Sequence, residues 1–342
     1  MKRWKNAVAA TALVLAGVFI IAVTATVGWR PFLGPRARPL TNRTFEPTAA
    51  RLERGAYLVR NVTGCIYCHS DLESAGDILQ IRADREGAGR SWKDEGTPWL
   101  VAPNITPDRE SGAGAWSDDA IARAVREGIG HDGRALFPMM PYGNYRQMSD
   151  EDLASVIVYL RTLRPVRHTL PSSTVPFPVN RLINAAPQPV DGLVSSPDLS
   201  DPLTRGRYLA TMASCGECHS PRDDKGQPVP GMAFSGGNTL SFEGHRSAAS
   251  ANLTPAASGI PYYTEALFVE TIRTGRVRAR RISELMPWSF YRNMSDEDLK
   301  AIFGYLKTLA PVDHYVDNSL PPTPCVRCNL THGGGERNKK PV

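Results

Sequence analysis

The sequence predicts an all-α protein in which two tandem helical domains follow one N-terminal transmembrane helix. Three observations predict it: an uncharged N-terminal run, a second half of the chain that repeats the first, and helix signals that recur at the same place in each half. No strand is predicted. A chain of 342 residues is long enough for two domains of ordinary size, each with its own core.

The first predicted element is the membrane anchor. Residues 7–29 carry no charge, and about 20 such residues are what a helix needs to cross the hydrocarbon core. Lys2, Arg3 and Lys5 precede this run and favour a cytoplasmic N-terminus over residues 1–6, which would place the rest of the chain outside. The alternative is a cleaved signal peptide and a soluble periplasmic protein, but the apolar run exceeds a usual signal core.

Composition excludes some partners. The formal net charge is +6, yet the basic residues are scattered and no basic stretch interleaved with aromatic residues is present. We therefore expect no nucleic acid. The 28 prolines and 29 glycines indicate much irregular chain between short helices.

All six cysteines lie in Cys-x-x-Cys pairs, and two of these pairs continue into histidine. They are Cys65-Ile66-Tyr67-Cys68-His69 and Cys215-Gly216-Glu217-Cys218-His219. This pattern is the signature of covalent haem c attachment, in which the two thiols of a helical turn bond one porphyrin and the histidine faces iron. The sequence therefore predicts two haem c groups with His69 and His219 as proximal ligands. Each imidazole also needs an acceptor for its other nitrogen, which the sequence does not identify.

Other uses of the cysteines are a thioredoxin-like dithiol, a structural zinc site or ordinary disulfides. A dithiol requires a βαβ context, and zinc does not explain a histidine directly after both pairs. Haem attachment is therefore favoured.

The repeat also supplies candidates for the distal ligands. Its longest match pairs residues 140–153 with residues 286–299, and each segment begins with Met-Pro. A methionine thioether favours ferrous iron and closes it to oxygen, so Met140 and Met286 are predicted as the distal ligands. Met139 competes in the first half, but it aligns with Leu285.

The same match predicts the last helix of each half. Ser149 with Asp152, and Ser295 with Asp298, have the spacing of a capping box, and apolar residues follow at helical period. Pro165 stops the first of these helices. Pro311 stops the second. Shorter helices are predicted over Ser117–Glu127 and Thr264–Arg273.

These elements define the predicted domains. A linker over residues 30–49 precedes the first haem domain at 50–168, a proline-rich connector covers 169–200, the second haem domain covers 201–316, and a polar tail covers 317–342. Each domain is expected to be a helical shell around one haem.

The tail contains the third cysteine pair, Cys325 and Cys328, which is followed by asparagine. No third haem domain fits in the residues that remain. A remnant or a disulfide is the favoured interpretation, and a zinc site with His332 and His314 is the alternative.

These motifs carry a family resemblance. Residues 50–166 and 201–312 each resemble a class I cytochrome c, with a Gly-x-Tyr-Leu helix, Cys-x-x-Cys-His, a Met-Pro loop and a closing helix. The chain is more closely similar to the membrane-bound cytochrome subunit of bacterial alcohol, aldehyde and gluconate dehydrogenases. The supporting segments are Asn104–Pro107, Trp116-Ser117, Leu136–Pro138, Met140–Tyr142, the two Met-Ser-Asp-Glu-Asp-Leu runs and Pro176–Pro178.

The resemblance implies a place in respiration. Such subunits take electrons from a periplasmic dehydrogenase and pass them to ubiquinone or an oxidase; a soluble cytochrome is a further possible acceptor. The chain departs from these relatives in having two haem motifs rather than three. The resemblance therefore predicts an electron-transfer protein of the inner membrane that has no catalytic residues of its own.

The alternative is a dihaem enzyme such as a peroxidase, in which one iron is open. His131 or His245 would then be a switching ligand, but neither has an equivalent in the other half. The matched Met-Pro loops argue against an open iron.

Overall fold

The protein is described by a computed structural model over residues 2–75, 78–92, 97–223, 226–241 and 247–339. The α-helices, in chain order, are α1 Lys2–Ala25, α2 Arg30–Leu33, α3 Ala49–Tyr57, α4 Cys65–Cys68, α5 Asp118–Glu127, α6 Tyr142–Tyr145, α7 Asp150–Leu160, α8 Val179–Leu182, α9 Pro202–Met212, α10 Cys215–His219, α11 Glu265–Thr274, α12 Trp288–Tyr291 and α13 Asp296–Lys307. One π-helical turn, Leu58–Val62, continues α3. Short 3₁₀ turns cover Ala83–Arg85, Ala113–Ala115, Ile183–Ala185 and Gly335–Lys339.

Helix α1 is long and apolar enough to span a membrane. Its segment Arg3–Ala25 has 23 residues and a mean hydropathy of 2.5. The helix begins five residues earlier and ends four residues earlier than the predicted anchor at 7–29.

The four predicted capped helices are confirmed. The hydroxyl groups of Ser117, Ser149, Thr264 and Ser295 each accept a hydrogen bond from the backbone N–H three residues later. Gly128 and Gly275 end α5 and α11 in the left-handed conformation, with φ of 72° and 67°, which glycine adopts without strain.

The expectation of no strands was wrong. Five antiparallel pairs are present in the described part of the chain, each with strands of two to four residues. They are β1 Leu72–Ala75 with β2 Ile78–Ile81, β3 Arg90–Ser91 with β4 Val101–Ala102, β5 Thr239–Leu240 with β6 Ala248–Ala249, β7 Arg276–Val277 with β8 Arg280–Arg281, and β9 Pro322–Pro324 with β10 Thr331–Gly333. Strands this short do not show a two-residue hydrophobic period.

The chain divides into two compact units. The first comprises Met1–Thr44, Trp116–Arg146 and Thr174–Gly192, and the second comprises Phe45–Ala115, Gln147–Ser173 and Leu193–Val342. This division does not follow the sequence repeat. The two-haem-domain organisation at 50–168 and 201–316 stays a prediction.

The core of the second unit is built from two helix crossings. Helix α3 packs against α7, and α9 packs in the same way against α13. A glycine lies at each crossing: a Cβ on Gly55 would overlap the carbonyl oxygen of Ser155, and one on Gly206 would overlap that of Ala301. The missing side chain is therefore what allows each backbone pair to approach.

The first unit contains a buried ion cluster. The Arg38 guanidinium donates two 2.7 Å hydrogen bonds to the Asp119 carboxylate and one of 2.7 Å to Glu127. Thr41 also donates to Asp119 from its backbone N–H and its hydroxyl. These contacts fasten the segment after α1 and α2 to helix α5.

Candidate haem-binding sites

Each predicted attachment motif lies on its own short helix of about one turn. Helices α4 and α10 each follow a residue in the left-handed conformation, Gly64 with φ of 66° and Ser214 with φ of 55°. This turn separates the attachment helix from the preceding long helix. The four cysteines of the two turns are half-buried and are not in disulfides. Both thiols of each turn are therefore in the reduced state that thioether formation requires.

The proximal histidines have matched surroundings. Nδ1 of His69 lies 2.7 Å from the carbonyl oxygen of Pro103, and Nδ1 of His219 lies 2.7 Å from that of Ala251. A carbonyl only accepts, so Nδ1–H donates in both cases and Nε2 keeps its lone pair for iron. Burial lowers the pKa of both imidazoles, which keeps them neutral.

The two acceptor carbonyls were missed by sequence reasoning. Each belongs to the residue directly before the duplicated Asn-x-Thr-Pro motif. In that motif Asn104 accepts from the Thr106 hydroxyl at 2.7 Å, and its amide donates to the Val166 carbonyl at 2.8 Å. Asn252 makes the same two bonds to Thr254 and Val312, at 2.7 and 2.8 Å. The motif thus fixes the loop that holds each proximal histidine, and its duplication was the signal.

The predicted distal ligands occupy matching turns. The Met140 N–H donates to the Phe137 carbonyl at 3.1 Å, and the Met286 N–H donates to the Ser283 carbonyl at 3.1 Å. Both methionines are half-buried, whereas Met139 is 43% exposed. Met148 and Met294, the other methionines of the two matched segments, are core residues, 1% and 2% exposed.

Residues of both attachment motifs lie near Tyr291 in the second unit. The Tyr291 hydroxyl donates a 2.7 Å hydrogen bond to the carbonyl of Ala213, just before α10. Its pKa is raised well above the ordinary value by burial and then by the charges of Cys215, Cys218 and Cys68. Helices α4 and α10 therefore approach the same tyrosine.

These donor sets fit haem c. Each motif offers two reduced cysteines and an imidazole whose Nε2 is available, on a turn of the right length. Burial raises the pKa of Cys215 to about 12, so this thiol is protonated at neutral pH.

Of the two histidines considered as switching ligands in the alternative peroxidase, His131 has no such surroundings. His131 is exposed and stacks on Trp116 with ring centroids 4.2 Å apart. His245 lies outside the described residues.

The favoured interpretation of the third cysteine pair was a remnant or a disulfide, and the structure contradicts the disulfide. Cys325 and Cys328 are free and buried rather than disulfide-bonded. Their sulfur atoms lie with ring nitrogens of His314 and His332 in a cluster whose four atoms are all within 4.8 Å of one another.

Comparison with known proteins confirms the resemblance to c-type cytochromes. Residues 50–160 match the family described as cytochrome C oxidase, cbb3-type, subunit III. The chain is 33% identical to a subunit of nicotinate dehydrogenase from Pseudomonas putida, over 66% of this chain and 19% of that protein. It is 27% identical to the fructose dehydrogenase cytochrome subunit of Gluconobacter japonicus, over 80% of this chain and 56% of that subunit.

Another relative is the diheme cytochrome c-type of Cereibacter sphaeroides. It is 29% identical over 73% of this chain and 83% of its own length. The chain spans less than two thirds of the dehydrogenase subunits described above. It carries a cytochrome c family domain, and its relatives include cytochrome c subunits of bacterial dehydrogenases.

Proposed function

We propose that this chain, with its cytochrome c family domain, is a dihaem c-type cytochrome that transfers electrons on the periplasmic face of the inner membrane. The observation that carries the proposal is the identical arrangement of His69 and His219, each fixed by a 2.7 Å hydrogen bond from Nδ1 to a backbone carbonyl. A chain that used only one haem would have no need of the second arrangement.

Covalently bound haem supplies an iron that exchanges one electron at a time. The chain's own cysteines would hold each haem through thioethers. Cys65 and Cys68 would anchor the first haem, and Cys215 and Cys218 the second. The carbonyls of Pro103 and Ala251 orient the imidazoles and increase their basicity.

The proposed distal ligands are Met140 and Met286. Their half-buried side chains and identical local turns support this assignment over the exposed Met139. Two methionine-ligated irons would be closed to peroxide, which favours electron transfer over peroxidase chemistry.

Two contacts support an internal relay: Tyr67 of the first motif packs on Phe290 with ring centroids 5.9 Å apart, and the neighbouring Tyr291 donates to the Ala213 carbonyl just before the second motif. If each turn carries its porphyrin, two haems are attached near one buried side chain. We infer that the electron enters at one haem, moves to the other haem and leaves from there.

The location follows from the anchor and the chemistry. Helix α1 can span the membrane, and three basic residues at its start, Lys2, Arg3 and Lys5, favour retention of the N-terminus in the cytoplasm. The haem motifs would then lie in the periplasm.

The proposed donor is a periplasmic dehydrogenase, and the proposed acceptor is ubiquinone, an oxidase or a soluble cytochrome. Support comes from the relatives, which are cytochrome subunits of fructose, gluconate and alcohol dehydrogenases. The full chain, purified in detergent and reduced without oxygen, is mixed in a stopped-flow instrument with decylubiquinone or with a soluble cytochrome c. Rapid reoxidation of two haems by either acceptor is expected.

The donor is tested in membranes of the source cells. Fructose, gluconate, ethanol and nicotinate are added in turn while the haem absorption is recorded. We expect one of them to change the haem absorption of wild-type membranes to that of the reduced state. Membranes from cells that lack the chain should not show this change. Turnover of hydrogen peroxide by the purified protein, with a high-spin haem that binds cyanide, would instead support the peroxidase.

A further inference from the structure

The C-terminal segment is folded onto the second haem repeat. Strands β9 and β10 form a hairpin, and Cys325 and Cys328 lie in the connection between them. The backbone closes this connection, since Cys325 N–H donates to the Leu330 carbonyl at 2.8 Å and Asn329 N–H donates to the Cys325 carbonyl at 2.9 Å. His332 follows on β10, so two cysteines and a histidine of one hairpin meet.

The fourth member of the cluster comes from outside the hairpin. His314 follows helix α13 and is fixed on both sides of its backbone: its N–H donates to the Ser258 hydroxyl at 2.9 Å, and its carbonyl accepts from the Asn252 amide at 3.0 Å. All four side chains are buried, with at most 4% exposed.

Two distances within the cluster are close to those of a tetrahedral ion site. The Cys325 sulfur lies 3.5 Å from Nε2 of His314, and Nε2 of His314 lies 3.0 Å from Nε2 of His332. A tetrahedral zinc ion with ordinary bond lengths separates sulfur from nitrogen by about 3.6 Å and two nitrogens by about 3.3 Å. No movement beyond a few tenths of an ångström is needed for either pair.

The hydrogen bonds of the two histidines leave their facing nitrogens without protons. Nδ1 of His314 lies 2.9 Å from the Ser235 carbonyl, and Nδ1 of His332 lies 2.9 Å from the Gly333 carbonyl. Each Nδ1–H therefore donates, and each neutral ring presents a lone pair at Nε2. Two lone pairs 3.0 Å apart repel each other unless a cation lies beside both.

We propose that His314, Cys325, Cys328 and His332 bind one Zn²⁺ ion as a closed structural site. Two thiolates and two imidazoles are the ligands of a tetrahedral zinc centre, and full burial leaves no position open for catalysis. On binding, the two thiols each lose a proton, and the ion forms four bonds without any change of oxidation state.

The first repeat contains a matched histidine that lacks the other ligands. His168 donates from its N–H to Ser111 at 2.9 Å, and its Nδ1 lies 3.0 Å from the Ala88 carbonyl, as His314 does with Ser258 and Ser235. No cysteine follows His168 in the connector at residues 169–200, whereas Cys325 follows His314 by 11 positions. The metal site is thus an addition to a histidine that both repeats share.

One backbone position makes room for the addition. Gly237 has φ of 97°, and a Cβ there would lie 2.7 Å from Cε1 of His314 and 3.4 Å from Cδ2 of His332. The adjoining residues link the site to the haem, since Gly236 N–H donates to the His219 carbonyl at 2.7 Å. Zinc would therefore fasten the C-terminal hairpin to the loop that packs on the second attachment helix.

A disulfide is the competing state of the two cysteines. An oxidising periplasm converts unprotected neighbouring thiols to a disulfide, whereas bound zinc keeps them reduced. The haem cysteines would be thioethers, so Cys325 and Cys328 would be the chain's two remaining thiols. Their oxidation state can therefore be measured without interference.

The test is metal analysis of the full chain purified in detergent through a tag other than polyhistidine. Inductively coupled plasma mass spectrometry is expected to find one zinc per chain in addition to haem iron. X-ray absorption at the zinc edge should show two sulfur ligands at about 2.3 Å and two nitrogen ligands at about 2.0 Å. Both thiols should react with iodoacetamide only after denaturation in the presence of a chelator.

Variants provide the matched control. Cys325→Ser and His332→Ala are expected to lower the zinc content at least tenfold, whereas His168→Ala keeps it. Because the first measurements use the unaltered chain, a variant that fails to fold does not decide the result. Absence of zinc, another metal in its place, or a mass showing a Cys325–Cys328 disulfide would overturn the proposal. The haem content does not enter this test, so it stands or falls apart from the electron-transfer function.

Discussion

The hydroxyl of Tyr208 donates a 2.8 Å hydrogen bond to the carboxylate of Asp152. It also accepts a 3.2 Å hydrogen bond from the backbone N–H of Ser149. Tyr208 belongs to the second repeat, and both of its partners belong to the capping box of the first. Tyr57 of the first repeat makes the equivalent contacts with the second repeat: its hydroxyl donates to the Asp298 carboxylate and accepts from the Ser295 N–H. The tyrosine of each Gly-x-Tyr-Leu motif therefore binds the start of the other repeat's closing helix.

These reciprocal contacts between the repeats predict that removal of one tyrosine hydroxyl strongly lowers the free energy of unfolding. Tyr208→Phe should lower the free energy of unfolding by about 2 kcal/mol, since a hydrogen bond to a buried carboxylate is lost while Arg54 still pairs with that carboxylate. Urea unfolding followed by circular dichroism measures the change. Tyr305→Phe is the control, because no hydrogen bond of its hydroxyl is found within the described residues. Equal effects of the two changes would contradict the exchange.

The crossing of α9 and α13 predicts opposite changes in stability when two glycines of the second unit are replaced by alanine. Gly206→Ala should destabilise by about 3 kcal/mol, because the new methyl group overlaps the carbonyl oxygen of Ala301. Gly304→Ala, within helix α13, places its Cβ 3.9 Å from Leu203 in ordinary contact. It should stabilise by about 0.5 to 1 kcal/mol, since alanine loses less backbone entropy. Thermal unfolding distinguishes the two, and a stable Gly206→Ala protein would exclude the close crossing.

The proposed distal ligands predict a spectroscopic result. Met140→Ala and Met286→Ala should each remove half of the weak long-wavelength sulfur-to-iron band of the oxidised protein. Each should also lower the reduction potential of one haem, since the thioether favours ferrous iron. Met139→Ala, a neighbouring and exposed residue, should leave both quantities unchanged. Loss of the band in Met139→Ala alone would reassign the ligand of the first haem.

The ion cluster of the first unit predicts a dependence on acid. Burial raises the pKa of Asp119, but hydrogen bonds from Arg38 and Thr41 outweigh it and hold the pKa at about 2. Its unfolded value is about 3.9. A lowered folded pKa gives stability that is present above about pH 4 and is lost as the pH falls towards 2, worth about 2 to 3 kcal/mol. Asp119→Asn should flatten the fall in unfolding free energy over this range.

Glu127 supplies the internal comparison in the same cluster. Burial raises the pKa of Glu127 by more than its ion pair with Arg38 lowers it. A raised folded pKa gives stability below the unfolded value of about 4.3 that is lost as the pH rises through the folded value. In the Glu127→Gln protein, the free energy of unfolding should therefore no longer decrease because of this residue as the pH rises above about 4.3. If it instead reproduced the Asp119→Asn profile, the opposite roles of the two carboxylates would be wrong.

The sequence predicted the elements whose signals are local. The capping serines at 117, 149 and 295 fix helix starts through their own hydroxyl groups, and the structure places those helices as expected. The attachment motifs at residues 65–69 and 215–219 are local signals too, and each lies on one helical turn. Such signals depend on residues three or four positions apart.

Contacts between distant segments were beyond the sequence. The acceptor of His69 is a backbone carbonyl 34 positions away, and nothing in the identity of Pro103 marks it as an acceptor. The clustering of His314 with the third cysteine pair depends on how the hairpin folds back, so a disulfide was the natural expectation. The exchange between Tyr208 and Asp152 likewise requires the packing of two repeats.

The measurement that tests the account most directly is the haem content of the purified full chain. Intact mass under denaturing conditions and the pyridine haemochrome spectrum together give the number of covalently bound haems per chain. We predict two, with one lost in Cys68→Ser, one lost in Cys218→Ser and both kept in Cys328→Ser. One haem in the unaltered chain would contradict the matched sites at His69 and His219, and three would contradict the assignment of the third cysteine pair.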